Sequence, residues 1–196
     1  MQRSFAITYD YLCPFARIVN EAVIEALDDG APWDVRFRPF SLSQSHVEAG
    51  AAAAWDRPAG SEMTRGVRAL LWSVAVRDGQ PDVFRRFHLR MFDARHEDAA
   101  DIDDLELLRT VAADVGADVV AVEAFVAAGR ARTVLAAEHT EAVDRWAVFG
   151  VPTLIAADDA VFVRLMDRHN RRDLERVLDM VHWFDLNEFK RTRIPR

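Results

Sequence analysis

Cys13 is the one cysteine in 196 residues, and its neighbours decide what chemistry it can do. Upstream, Phe5, Ile7, Tyr9 and Tyr11 alternate, which predicts a strand over residues 4–11. Downstream, Pro14 suits the first position of a helix, and Phe15, Ile18, Val19, Ala22, Val23 and Leu27 follow at helical spacing. The cysteine therefore falls at a strand-to-helix junction. There the first-turn N–H groups lack intrahelical partners and the helix dipole is positive, and both favour a thiolate, the attacking form of the residue. Such sites lower a cysteine pKa into about 3.5–7.5. A pKa of about 6.5 would leave roughly 90% thiolate at about pH 7.5, against about 10% for the free value of about 8.5. Arg17, one turn into the helix, is expected to add positive charge, and Asp10 opposes it if its carboxylate points toward the sulfur. The competing reading is an inert core cysteine, since free cysteines are among the most buried residues. A single thiol also excludes an intrachain disulfide framework and a cysteine-rich zinc site within one chain.

Other chemistry-bearing residues are less organised. The six histidines (His46, His88, His96, His139, His169 and His182) show no metal-ligating spacing, although His88 and His96 lie eight apart on a helical stretch. We expect no metal. No glycine-rich phosphate loop follows the first strand. Asp103 and Asp104 read as helix caps, and Glu138 and Glu141 as a solvated face. Trp55, Trp72, Phe87 and Trp146 are candidates to line an apolar pocket, with core packing the preferred reading.

The elements that must position Cys13 follow from the same patterns. Residues 33–40 alternate Trp33, Val35 and Phe37 against Asp34, Arg36 and Arg38, a half-buried strand closed by Pro39. The first 40 residues thus spell strand–helix–strand with a crossover long enough for parallel pairing. Residues 41–60 have small residues and little periodicity, which predicts a surface connection with the character of a mobile lid. Residues 61–147 read as five helices, the first capped by Ser61, the third preceded by Asp103 and the fourth capped by Asp118. Strand character returns over residues 148–157, with Val161, Val163 and Leu165 alternating in a hairpin partner. A last helix starts at Asn170 or Arg171 and carries Leu174, Val177, Leu178 and Val181. The two α/β pieces are each too small to cover a sheet alone, so an α/β fold is expected, with one four-stranded sheet interrupted by helices.

At this point the residues resemble a known family. Tyr9-Asp10-Tyr11-Leu12-Cys13-Pro14-Phe15, followed far downstream by Gly150-Val151-Pro152-Thr153, resembles the DsbA-like branch of the thioredoxin fold. The β-α-β, helices, β-β-α order agrees over nearly the whole chain. The resemblance implies a mixed four-stranded sheet, with residues 1–43 and 148–196 as the thioredoxin-like domain and 44–147 as an all-helical insertion. It implies Cys13 as the catalytic residue and Pro14, Phe15, Ala16, Val151, Pro152 and Thr153 as substrate-binding. It also implies that the Val151–Pro152 bond is cis, packs against Cys13 and leaves the Val151 backbone free to pair with a thiol-bearing substrate. Residues 184–193 are similar to the endings of actinobacterial DsbA-like reductases that use mycothiol.

The departure from the family pattern is Ala16, where its redox members carry the second cysteine of Cys-x-x-Cys. Without that thiol an intramolecular disulfide is excluded, and monothiol chemistry with an external low-molecular-weight thiol, mycothiol or glutathione, remains. Kappa-class glutathione transferases and 2-hydroxychromene-2-carboxylate isomerases resemble the same layout. In them a single residue, usually serine, stands where Cys13 does and activates the thiol of bound glutathione. A non-catalytic relative that binds a partner beside Pro152 is the third reading.

Composition narrows the setting. The chain is 51% hydrophobic and 29% charged, which is globular. Its net charge of −7 argues against nucleic acid or an anionic membrane as partner. The expected partners are a small thiol and a small-molecule or protein disulfide, and a homodimer is compatible with the sequence. No secretory signal opens the sequence and no apolar run approaches the length of about 20 residues that spans a bilayer, so the cytoplasm is the expected compartment.

Overall fold

A computed structural model describes residues 3–58, 60–181, 183 and 185–188. Its centre is a four-stranded mixed sheet in the order β2-β1-β3-β4. Strand β1 (Arg3–Tyr9) pairs in parallel with β2 (Trp33–Pro39), from Arg3 opposite Trp33 to Tyr9 opposite Pro39. On its other side β1 meets β3 (Thr153–Ala156) antiparallel, with Ile7 opposite Leu154, and β3 continues into β4 (Asp159–Phe162) as a hairpin. Helix α1 (Pro14–Asp28) is the crossover between β1 and β2. Five helices follow: α2 (Val67–Gly79), α3 (Pro81–His96), α4 (Leu105–Asp114), α5 (Val119–Ala127) and α6 (Arg130–Trp146). Helix α7 (Arg171–Val181) closes the described fold and puts Leu174, Leu178 and Val181 into the core.

β1 is central in the sheet and covered on both faces along its later half, so Ile7, Thr8 and Tyr9 are all fully buried although their side chains alternate in direction. α1 is nearly as enclosed, packing against α3 and α7, so its small residues Ala16, Ala22 and Ala26 are all buried. Trp72 and Phe87 belong to the hydrophobic core, with Trp55 and Trp146 packed against it, so these four aromatics do not line an open pocket.

Several local readings are corrected. The strand expected over residues 148–157 is only four residues long, because Pro152 has no N–H to give to a ladder and pairing begins at Thr153. β4 ends at Phe162 for the same reason, so Val163 and Leu165 lie past the strand, although the Val163 N–H still reaches the Pro152 carbonyl at 3.0 Å. Ser61 forms its capping box on a short 3-10 turn, not on α2. α2 instead begins after Gly66, whose φ is +77° and whose Cβ, if present, would lie 3.1 Å from the Leu12 side chain. The Asp103 carboxylate takes the Gly66 and Arg68 N–H groups, while Asp104 caps α4 by accepting from Glu106. Asp118 caps α5.

Glu138 is not on a solvated face. It is buried and pairs with Arg36 and Arg77, and Arg38 pairs with Glu141, so α6 is tied along β2 by charge. The segment expected to be a mobile lid is tied down at two points: Ser43 Oγ donates to the Arg65 carbonyl, and Gln44 accepts from the fully buried Ala54.

One buried polar chain joins the sheet, α1 and the insertion. Asn20 gives its amide to the Ala16 carbonyl, so its oxygen must accept from His88 Nε2. His88 Nδ1 then accepts from the Tyr11 hydroxyl at 2.8 Å. Tyr11 in turn accepts from Ser73, which accepts from Tyr9. Burial holds His88 neutral, with its pKa pushed down to about 3. His96 also turns to residue 11, through the Tyr11 carbonyl at 2.9 Å, so neither histidine is directed to a shared ligand.

Candidate active site

Cys13 stands just outside α1 with extended backbone (φ −95°, ψ 116°) and occupies the N-cap position that serine or aspartate usually fills. Its Sγ accepts the Ala16 N–H at 3.4 Å. Pro14 occupies the first turn, where its missing N–H costs nothing. The Cys13 S–H in turn donates to the Val151 carbonyl at 3.3 Å. The Val151–Pro152 peptide bond is cis. The Val151 N–H has no acceptor among the described residues.

The residues singled out from sequence divide by exposure. Pro14 is exposed, and Cys13 and Phe15 are half-buried at the surface. Val151, Pro152, Ala16 and Thr153 are buried. Thr153 is occupied internally, its N–H on Thr8 Oγ1 and its hydroxyl on the Gly150 carbonyl.

The electrostatics of the thiol depart from expectation. Partial burial pushes the Cys13 pKa up, above the ordinary cysteine value, and the N–H groups of Ala16 and Phe15 only partly offset it. Asp10 adds to the rise. This carboxylate is itself fully buried, accepts the Leu12 and Leu42 N–H groups at 2.9 and 2.8 Å, and is pushed up to about 6 by loss of water. Arg17 does not help the sulfur. Its guanidinium is buried in an ion cluster with Glu21, Asp93 and Glu97, which Arg168 joins from beyond β4. The cation that does favour the thiolate is Arg164.

Arg164, Phe149 and Phe162 were not visible as site residues from sequence. The Thr153–Phe162 register, extended by the Val163-to-Pro152 bond, places Arg164 alongside Val151. Its guanidinium lies 5.1 Å from the Phe15 ring centre and 5.2 Å from that of Phe162. The Phe162 ring packs at a tilt against that of Phe149, centroids 5.0 Å apart, and Phe149 is 72% exposed. The signal available in sequence was Phe149 directly preceding Gly150-Val151-Pro152, and Arg164 two residues after Phe162 in an alternating stretch.

Among the described residues no group of three or more histidine, cysteine, aspartate or glutamate side chains is placed to hold a metal. A cleft of about 680 Å³ along the outer edge of β2, lined by Trp33, Arg36, Arg77 and Glu138 among others, contains none of these site residues.

Residues 6–178 match the DSBA-like thioredoxin domain. The chain belongs to that family. This DSBA-like protein has no match among curated protein sequences. Its fold is shared with solved structures of low identity. A 2-hydroxychromene-2-carboxylate isomerase is 17% identical, with a TM-score of 0.63 over 93% of this chain and 97% of that one. The thiol-disulfide exchange protein α-DsbA2 from Wolbachia pipientis is 16% identical, with a TM-score of 0.62 over 90% and 80%. The cytosolic disulfide reductase DsbM from Pseudomonas aeruginosa, solved with GSH, is 13% identical, with a TM-score of 0.63 over 93% and 100%. The mycothiol-reductase likeness of residues 184–193 falls largely outside the described residues. No described helix is long and apolar enough to cross a membrane.

Proposed function

We propose that this DSBA-like protein is a monothiol oxidoreductase in which Cys13 is the nucleophile and a second thiol comes from outside the chain. The observation that carries the reading is the placement of Cys13 Sγ between the Ala16 N–H and the Val151 carbonyl, with alanine where a resolving cysteine would stand. In the reaction Cys13 loses its proton to solvent and its sulfur attacks a disulfide. The substrate S–S bond breaks, one thiolate leaves and takes up a proton, and a mixed disulfide on Cys13 remains. A low-molecular-weight thiol, mycothiol or glutathione, then attacks the substrate sulfur of that mixed disulfide. The Cys13 S–S bond breaks, the small thiol departs joined to the substrate half as a new disulfide, and the Cys13 thiolate takes up a proton. Pro14, Phe15, Val151 and Pro152 border the approach to the sulfur, with Ala16 supplying the N–H and Thr153 holding the loop. The substrate is a small-molecule or protein disulfide, and the cytoplasm is the compartment in which an unpaired thiol of this kind stays reduced.

A second reading is favoured by one specific feature. The raised Cys13 pKa keeps the thiol protonated near neutrality, where it accepts from Ala16 and donates to Val151 much as a serine hydroxyl would. That suits a thiol-dependent isomerase or a kappa-like transferase, in which the residue orients the sulfur of a bound cosubstrate.

Intact mass after incubation with oxidised mycothiol, glutathione and bacillithiol in parallel tests the first reading. One adduct, abolished in Cys13→Ser, is expected. Absence of any adduct, or full turnover by Cys13→Ser with a bound thiol, overturns it and favours the second.

A further inference from the structure

The group beside Cys13 that the proposed reaction leaves unused is Arg164. It is exposed, and it has no acidic partner among the described residues, unlike Arg168 four positions on, which pairs with Glu21 and Glu97. A guanidinium held against aromatic rings spends its faces on them and keeps its in-plane N–H donors, which match a carboxylate in bidentate geometry. Phe15 and Phe162 together fix the position of the group, so little side-chain freedom remains to be lost when an anion arrives. The register places it next to Val151, whose carbonyl touches the reacting sulfur. Phe149 and Phe162 extend the same surface with an apolar shelf.

We propose that Arg164, seated on Phe15 and Phe162, is a specificity-determining anion anchor that selects small disulfides carrying a carboxylate near the sulfur and an apolar or aromatic body. The inference rests on the nucleophile reading of Cys13. A substrate of this class lays its body on Phe149 and Phe162, places its carboxylate on the Arg164 N–H groups and presents a sulfur to Cys13. The thiolate attacks, the S–S bond of the substrate breaks, and the released half departs as its own thiolate. The half that becomes bonded to Cys13 keeps its carboxylate on Arg164.

Arg164 also bears on the thiol itself, so the test separates the two effects by a ratio. Rates of mixed-disulfide formation at Cys13 are measured with a nitrobenzoate disulfide, which carries one carboxylate on each ring, and with an uncharged dipyridyl disulfide. Any change in thiolate population alters both rates together and cancels. In Arg164→Gln the ratio of anionic to uncharged rates should fall about threefold or more, as for loss of an exposed bidentate ion pair, and Arg164→Lys should recover part of it. A smaller fall in Arg164→Gln overturns the anchor while leaving the nucleophile reading intact. Failure of the unmodified protein to react with either disulfide overturns both. Arg164 is exposed, and an unchanged circular dichroism spectrum confirms that the variant is folded.

Discussion

The thiol of Cys13 donates to the carbonyl of Val151 at 3.3 Å, joining two residues 138 positions apart in sequence. This bond exists only in the protonated form, so it and burial act in the same direction on the pKa, against the helix start. The rate of Cys13 alkylation by iodoacetamide should therefore keep rising as pH passes about 9, with no plateau near neutrality. A plateau near pH 7 would show that the helix N-terminus dominates after all.

Asp10 gives a direct handle on this balance. Asp10→Asn removes a buried negative charge that raises the Cys13 pKa, so alkylation near neutrality should accelerate. The substitution also turns an amide N–H₂ or a single oxygen toward two backbone donors that now share a carboxylate. It should cost about 1–3 kcal/mol in urea unfolding, the penalty of an unsatisfied buried group.

Ala16 offers the reverse experiment. Ala16→Cys restores a Cys-x-x-Cys spacing while keeping the N–H that bonds to Cys13. Oxidation should then give a mass two hydrogens lower in place of a thiol adduct. The site is fully buried, so a stability loss of about 1–3 kcal/mol is expected from overfilling. Persistence of the thiol adduct under the same oxidant would mean that the two sulfurs do not meet.

Arg17 separates structure from chemistry. It was the cation expected to assist the sulfur, yet its guanidinium is spent on Glu21, Asp93 and Glu97. Arg17→Met should cost about 2 kcal/mol, moderated because Arg168 still partners Glu21. The pH profile of Cys13 alkylation should stay where it was. A large shift in that profile would restore Arg17 to the site.

Acid stability carries a further sign. His88 and His139 are held neutral by burial, with pKa values pushed down to about 3 and about 4. The unfolded chain takes up their protons below about 6.5 while the folded chain does not, so stability present above that pH is lost as pH falls. Each contributes a slope of about 1.4 kcal/mol per pH unit from about 6.5 down to its folded value. Asp10, pushed up to about 6, works the other way between about 6 and 3.8 and offsets one of them. Urea midpoints measured from pH 7 to 4.5 should fall. His139→Gln should fall less steeply, and an equal slope would remove His139 from the account.

The order of strands and helices along the chain was legible because long apolar periodicities mark each element locally, whereas the sheet order β2-β1-β3-β4 emerges only from the pairing. Cys13 was legible as an N-cap because proline after a strand and a helical repeat place it at the helix start. The thiol's charge state was not, since it depends on how deeply the sulfur sits and on Asp10, neither of which spacing reveals. Arg17 misled for a related reason: position one turn into a helix says nothing of the acids that α3 brings from residues 93 and 97. Arg164 was hidden among Val161, Val163 and Leu165, whose alternation drew attention to an expected strand that in fact ends at Phe162. Only the register against Val151 makes it a neighbour of the sulfur.

The polar chain from Tyr9 through Ser73, Tyr11, His88 and Asn20 to Ala16 has an evolutionary corollary. Each hydrogen in it has one permitted direction, and two of its five side chains, Ser73 and His88, come from the insertion. A lineage that exchanged Ser73 and His88 for apolar residues would strand two tyrosine hydroxyls and the Asn20 amide oxygen in a dry interior, and one that trimmed those helices would open that interior to water. The helical segment is therefore not a detachable accessory: the thioredoxin portion and its insertion can drift in sequence only as partners, and grafting this insertion onto another such scaffold would require the same three acceptors and donors to be waiting beneath it.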